Sequence, residues 1–207
     1  MRQLTVCEHP VLQDALAQLR DRNTRPKDFR DLMETAGAIL GLEALKGVKT
    51  GIEQVHTPLK AMHARRVAQP VSFVFILRAG QGLYGGLHRL YPQARIGHIG
   101  LYRNEETLNP VRYYVRLPVD LPRSLVLLFD PMLATGGSAA EGIRILKTDG
   151  AKEIRLITLL AAKTGVRRVH REHPDVHIFT AAVDPVLNKH GYIVPGLGDA
   201  GDRLYTL

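Results

Sequence analysis

The sequence predicts an α/β protein with a doubly wound, mainly parallel sheet, and three observations carry the prediction. Short continuous apolar runs recur at Val71–Leu77, Ile96–Leu101, Leu125–Phe129, Ile154–Leu160 and Val176–Val183. Rich in Val, Ile and Leu, they have the pattern of strands buried on both faces. Helix-length segments separate them, as the crossovers between parallel strands require. The loops directly after three of the runs carry charged residues, two of them with glycines, at the strand ends where such sheets bind ligands.

Taken in order, the chain begins with two helices. Val11, Leu12, Ala15, Leu16 and Leu19 make one apolar stripe, and Phe29, Leu32, Met33, Ala36 and Leu40 a second, both at helical spacing. This N-terminal helical part, within residues 1–50, reads as structural or interfacial. The first strand then ends in "ILRAGQG", residues 76–82. A bare cation at a buried strand end is costly unless it meets an anion, so Arg78 with neighbouring amides suits a diphosphate; pairing with a carboxylate is the alternative. After the second strand, "LYRNEETLNPVRYYVRLP", residues 101–118, alternates at Tyr113, Val115 and Leu117. It reads either as a mobile arm able to fold over a site, with Arg103 as its tip charge, or as an exposed two-stranded arm.

The third strand end is the most informative. After Phe129 come Asp130, then Pro131, which interrupts the ladder. Thr135-Gly136-Gly137-Ser138 follow, then a helix with Ile143 and Leu146 inward, closed by Gly150. Glycines let backbone N–H groups converge on an anion, the helix N-terminus favours a phosphate, and the two hydroxyls add donors. No lysine follows in the manner of a nucleoside-triphosphate P-loop. A plain strand-to-helix turn capped by Ser138 would explain a lone Gly-Gly-Ser. Asp130 weighs against it, because an unpaired acid at a strand tip is costly. A carboxylate beside a phosphate cradle suits the vicinal hydroxyls of a ribose 5-phosphate unit.

Composition bounds the rest. The 207 residues, 45% hydrophobic and 23% charged, suit one domain with one core. The single cysteine, Cys7, cannot close an internal disulfide, and Met1–Arg20 has no apolar signal region, so a cytoplasmic protein is expected. No stretch approaches the roughly 20 apolar residues of a membrane span. The net charge of +8 favours polyanionic partners such as phosphorylated metabolites or nucleic acid. His170, His173 and His177 have spacings that suit one helix face, but Pro174 breaks a helix between them, so a metal site there is the weaker reading.

"DPMLATGGS" (130–138), "LRAG" (77–80), "YRNEETLNPV" (102–111) and above all "GYIVPGLGDAGDR" (191–203) resemble the uracil phosphoribosyltransferases, of the type I phosphoribosyltransferase fold. The resemblance extends from "HPVLQ" (9–13) nearly to the end. It implies a single phosphoribosyltransferase domain over 1–207, with a uracil-binding C-terminal segment at 184–207. The implied reaction converts uracil and 5-phosphoribosyl 1-diphosphate to UMP and diphosphate in pyrimidine salvage, with Mg2+ carried mainly by the diphosphate substrate rather than by the protein. Arg78, Arg103 and Asp130 are the implied catalytic residues. Those three, with Pro131, Met132, Leu133, Ala134, Thr135, Gly136, Gly137, Ser138 and Asp199, are implied to hold the donor. Ile193, Gly198, Asp199 and Ala200 are implied to read uracil, largely through backbone groups. GTP is a candidate effector, and a homo-oligomer is expected.

The chain departs from the family pattern at Gln81, at Gly85, over 40–50, at Lys163-Thr164 and in the tail Leu204-Tyr205-Thr206-Leu207, where Phe-Gly-Thr is usual. None of these removes a core ligand. Two other classes compete: an RNA-binding regulator of pyrimidine genes on the same fold, marked by salt-dependent RNA affinity, and a non-catalytic nucleotide sensor, which would bind UMP without turnover. Intact Asp130, Arg78 and Arg103 argue against the sensor, and the sequence has no aromatic-basic motif for the regulator.

Overall fold

The computed structural model describes residues 3–103 and 110–205, with the side chain of Arg103 outside the description. Strand β1 (Leu4–Val6) leads into helices α1 (Pro10–Arg20) and α2 (Pro26–Leu45). Each helix starts with proline at its first position, where the missing N–H is no loss. Leu12, Ala15, Leu16 and Leu19 of α1, and Phe29, Met33, Ala36 and Leu40 of α2, are buried, so both predicted stripes face the core except at Val11, which in the first turn of α1 falls on the solvent side and is 52% exposed.

A hairpin of β2 (Thr50–His56) and β3 (Ala61–Val67) follows, its strands paired only with each other. The sequence reading did not foresee it. Most of its residues are exposed, so burial leaves no apolar run to read.

Beyond it come β4 (Val71–Leu77), α3 (Tyr84–Leu90), β5 (Arg95–Arg103), β6 (Pro110–Arg116), β7 (Leu125–Phe129), β8 (Met132–Leu133), α4 (Gly137–Thr148), β9 (Glu153–Ala162), α5 (Lys163–Glu172) and β10 (His177–Asp184). The strands form one sheet in the order β1-β10-β9-β7-β4-β5-β6, with β8 alongside β9. Every pairing is parallel except β5 with β6. The fold is therefore the expected mainly parallel α/β sheet with flanking helices. Within it, β4 and β7 match the predicted runs residue for residue.

Alternate residues of the central strands enter two separate cores. Phe73, Phe75, Leu127 and Phe129 pack with α1, α2 and α3; Val74, Ile76, Val126 and Leu128 pack with α4 and α5. Burial on both faces is what erases any polar alternation from these strands. Most of the predicted 101–118 arm is sheet rather than excursion. Strand β6 is its antiparallel edge, and Val115 and Leu117 pack on the α4 side; residues 104–109, the tip, lie outside the described residues.

The chain finishes with a small antiparallel pair, β11 (Val186–Leu187) and β12 (Ile193–Val194), and helix α6 (Ala200–Tyr205). From β4 the chain runs outward to β5 with α3 on one face. From β7 it runs the other way, to β9 and β10, with α4 and α5 on the opposite face. The switch between β4 and β7 opens a crevice at their carboxyl ends, the position where sheets of this kind bind ligands.

Helix α2 approaches the turn after β4 through Gly37, where an added Cβ would lie 1.7 Å from the Leu83 carbonyl oxygen. Helix propensity alone makes Gly→Ala stabilising by about 1 kcal/mol. Backbone contact should reverse the sign, with Gly37→Ala destabilising by about 1–3 kcal/mol in urea unfolding; a stabilised variant would show that α2 does not dock this closely.

Candidate active site

The cradle at the end of β7 is built by a break in the ladder. The Asp130 amide still donates to the Ile157 carbonyl at 3.1 Å. Pro131 has no N–H to continue, but its carbonyl accepts from the Leu159 and Leu160 amides at 3.0 and 3.1 Å, and the chain rejoins β9 as β8. Asp130 is thereby left at the kink, beside the cavity.

Gly136, with φ +79°, is the residue before α4, and an added Cβ there would lie 2.9 Å from the Gly165 carbonyl oxygen. A left-handed residue followed by a helical one turns successive amides toward one point, an anion nest at a helix N-terminus. Ser138 lies inside α4 and Gly136 takes the cap position, so the alternative in which Ser138 caps the helix is not what forms. Asp130, Met132, Ala134 and residues 135–139 enclose about 90 Å³.

A larger cleft of about 410 Å³ adjoins it. Ala79, Asp130 and Pro131 form one wall; His190 to Ile193 and Gly198 to Gly201 form the other. Asp130, Met132 and Ala134 border both cavities, so cradle and cleft meet at one carboxylate. Gly80 permits this closeness, since a Cβ there would sit 2.4 Å from the Phe129 carbonyl oxygen.

The far wall is fixed by buried charge. Arg20, at the end of α1, donates to both Asp184 carboxylate oxygens at 2.8 and 2.6 Å and to the Gly196 carbonyl at 2.8 Å. The Gly196 amide returns a bond to Asp184 at 2.8 Å. Burial opposes ionisation of Asp184, but the Arg20 hydrogen bonds and the Gly196 amide outweigh it and hold the carboxyl below the usual range. Arg203 adds bonds to the carbonyls of Leu19, Leu197 (2.9 Å) and Asp21 (2.7 Å), with its guanidinium 4.2 Å from the Phe29 ring centre. Gly196 and Gly198 take the positive φ values of +61° and +82° that bend this segment. Gly201, in contrast, belongs to α6.

Burial pushes the Asp130 carboxyl up to about 7, with the Met132 backbone amide pulling the other way. The side chain still opens on the cavity, so water there moderates the shift. Among the described residues no three His, Cys, Asp or Glu side chains converge to hold a metal ion.

The structure gathers most of the expected site residues. Asp130, Met132, Ala134, Thr135, Gly136, Gly137 and Ser138 line the cradle, and Pro131, Ile193, Gly198, Asp199 and Ala200 line the cleft. Leu133, the second residue of β8, instead points into the core on the α4 side. Arg78 lines neither cavity: it is exposed next to Ala79, so its charge stays hydrated at no desolvation cost. Arg103 ends β5, its side chain outside the described residues. Asp199 caps α6, its Oδ1 accepting from the Asp202 amide at 2.9 Å. The three histidines go to separate partners, the Gln3 carbonyl, the Ala140 carbonyl and the Thr5 hydroxyl.

Sequence reasoning missed Ala79, His190 and Tyr192. The signal for the last two was a turn motif: Asn188 Oδ1 accepts from the His190 and Tyr192 amides at 2.9 and 3.0 Å, and Gly191 has φ +81°.

Comparison with known proteins places the fold first. An adenine phosphoribosyltransferase of Trypanosoma brucei superposes with TM-score 0.62 at 13% identity, over 96% of this chain and 89% of that one, a likeness of fold alone. The chain is that of a phosphoribosyltransferase-type α/β protein. The family model described as uracil phosphoribosyltransferase matches residues 6–206. The protein named uracil phosphoribosyltransferase from Clostridium kluyveri is 48% identical over 206 residues, covering 99% of both chains, and its namesake from Thermus thermophilus 46% over 203, covering 98% of both. A solved Aquifex aeolicus protein superposes with TM-score 0.94 at 35% identity, over 99% of this chain and 98% of that one. This chain belongs to the uracil phosphoribosyltransferase family, as its motifs suggested.

The raised Asp130 pKa has a stability consequence. Between pH 3.8 and about 7 the folded protein keeps a proton that the unfolded chain releases, so stability falls as pH rises through that window. Asp130→Asn should remove this slope. Melting temperatures of the two proteins should diverge, in favour of the variant, up to about pH 7 and run parallel above it; parallel curves throughout would mean an ordinary, hydrated carboxylate.

Proposed function

We propose that the protein transfers the phosphoribosyl group of 5-phosphoribosyl 1-diphosphate to uracil, giving UMP and diphosphate. The observation that carries this reading is the junction of a phosphate-sized cradle and a base-sized cleft at Asp130. A ribose 5-phosphate fits that junction: phosphate in the nest at the start of α4, hydroxyls on Asp130, and C1 toward the cleft.

In the reaction the bond from C1 to the diphosphate oxygen breaks with its electron pair going to the diphosphate, N1 of uracil bonds to C1, and the N1 proton passes to the diphosphate or to solvent. Positive charge grows on the ribose and negative charge on the leaving group, so catalysis is mainly positioning and electrostatic stabilisation. Arg78 and Arg103 take the diphosphate charge. Mg2+ arrives with the diphosphate as part of the substrate. Phosphate oxygens would supply most of its ligands, so the chain would need to add no carboxylate cluster of its own.

Uracil is read by main-chain groups around Ile193 and Gly198 to Ala200. The burial of Ile193 supports this, because a cleft-lining residue whose side chain packs in the core has little side chain to offer a ligand. A fixed N–H and C=O suit a uracil carbonyl and N3–H, whereas cytosine presents the opposite pattern and would leave groups unpaired.

UMP should form from uracil only with both the phosphoribosyl donor and Mg2+; no product at high enzyme concentration would end this reading. Asp130→Asn should retain the fold and lose about two orders of magnitude in kcat/KM, as for one preorganised group. Base choice gives a separate check. Ile193→Val should leave the uracil-to-cytosine ratio of kcat/KM nearly unchanged, whereas Gly198→Val, at φ +82°, should damage uracil use by shifting the backbone. The reverse result would assign recognition to side chains.

A further inference from the structure

Helix α6 touches both halves of the site. It starts at Ala200, in the cleft wall, and ends at Tyr205 beside the turn that follows β4. The Tyr205 hydroxyl donates to the main-chain carbonyl of Arg78 at 2.9 Å, and the Arg78 guanidinium lies 5.7 Å from the centre of the tyrosine ring. This end of the helix is anchored. Leu204 is buried, and its side chain packs so closely on Gly82 that a Cβ added there would lie 2.6 Å away. Arg30 holds the Leu204 carbonyl at 3.1 Å.

An exposed arginine carries rotamer entropy that any anion must overcome to use it. The tyrosine reduces that freedom twice. Its hydroxyl pins the Arg78 backbone, and its ring lies within reach of the guanidinium for a cation–π attraction. Neither contact uses a guanidinium N–H in a hydrogen bond, and among the described residues no carboxylate pairs with Arg78, so its donor fork stays available for an anion.

We propose that Tyr205 is a positioning residue for Arg78, presetting the arginine for the diphosphate of the donor. The inference rests on the role given to Arg78 above, and it deepens that reading at the point where the tail departs from the family pattern.

Tyr205→Phe removes the hydroxyl and keeps the ring. It should raise the KM for the phosphoribosyl donor, and the dissociation constant of magnesium diphosphate measured by calorimetry, about threefold to tenfold, the loss of one ordinary hydrogen bond. The dissociation constant of UMP, which has no diphosphate, should change less than about twofold on the same argument. Tyr205→Leu, which also removes the ring, should add a further loss of about twofold to fivefold. In an Arg78→Ala background neither substitution should weaken magnesium diphosphate further.

The proposal is overturned if Tyr205→Phe leaves donor and diphosphate constants unchanged, if UMP weakens in parallel, or if the losses persist without the Arg78 side chain. Those results would make Tyr205 a simple plug. Wild-type turnover is measured alongside: absence of UMP there defeats the reaction itself, whereas wild-type UMP synthesis with an indifferent Tyr205→Phe defeats only the positioning role. The calorimetric arm decides between the outcomes in either case.

Discussion

At the carboxyl end of β10, Asp184 accepts both arms of the Arg20 guanidinium and the Gly196 amide, while Arg20 also reaches the Gly196 carbonyl. The last stretch of chain depends on this knot. Beyond β10, among the described residues, it has two two-residue strands and one short helix, too little regular structure to hold itself in place. A forked pair with both carboxylate oxygens and both terminal guanidinium nitrogens engaged is the kind of partly buried ion pair that repays its desolvation. It ties the first helix to the glycine segment, so the wall of the cleft is set by residues more than 160 positions apart.

What was legible in the sequence follows from what burial does to composition. Strands β4 and β7 have both faces covered, and their runs of Val, Leu, Ile and Phe could be read without context. The hairpin of β2 and β3 has neither face fully covered, so selection for burial left no mark there. The cradle was legible because Asp130, the two glycines and the hydroxyls are adjacent in sequence and chemically unusual together. The opposite wall was not, apart from the family resemblance. Arg20 at the end of one amphipathic helix looks like any surface cation, and only the tertiary fold turns it toward Asp184.

For Arg78 the structure overturns the physical reason behind the expectation. A strand-end arginine was taken to need an anion because it would otherwise be buried, yet the side chain is exposed and needs no partner to be stable. That exposure, rather than any cost of burial, is what the diphosphate contact proposed above draws on. Asp130 is the reverse case. Its surroundings resist the charge and raise its pKa, although the side chain stays partly open to the cavity.

The seam between β4 and β7 acts as a gauge. Arg78 and Asp130 leave the ends of these neighbouring strands, whose ladder aligns Phe75 with Phe129, and Gly80 rests on the Phe129 carbonyl. The separation of the two strand ends that carry Arg78 and Asp130, the groups proposed above for diphosphate and ribose, is therefore set by hydrogen-bond register. A slip of one residue would move one against the other by roughly 3.3 Å, about the whole span over which a bond is broken and another made. Tolerance in this protein is accordingly uneven: length can vary in the exposed hairpin, while the two strands at the seam admit no insertion at all without changing the chemistry they frame.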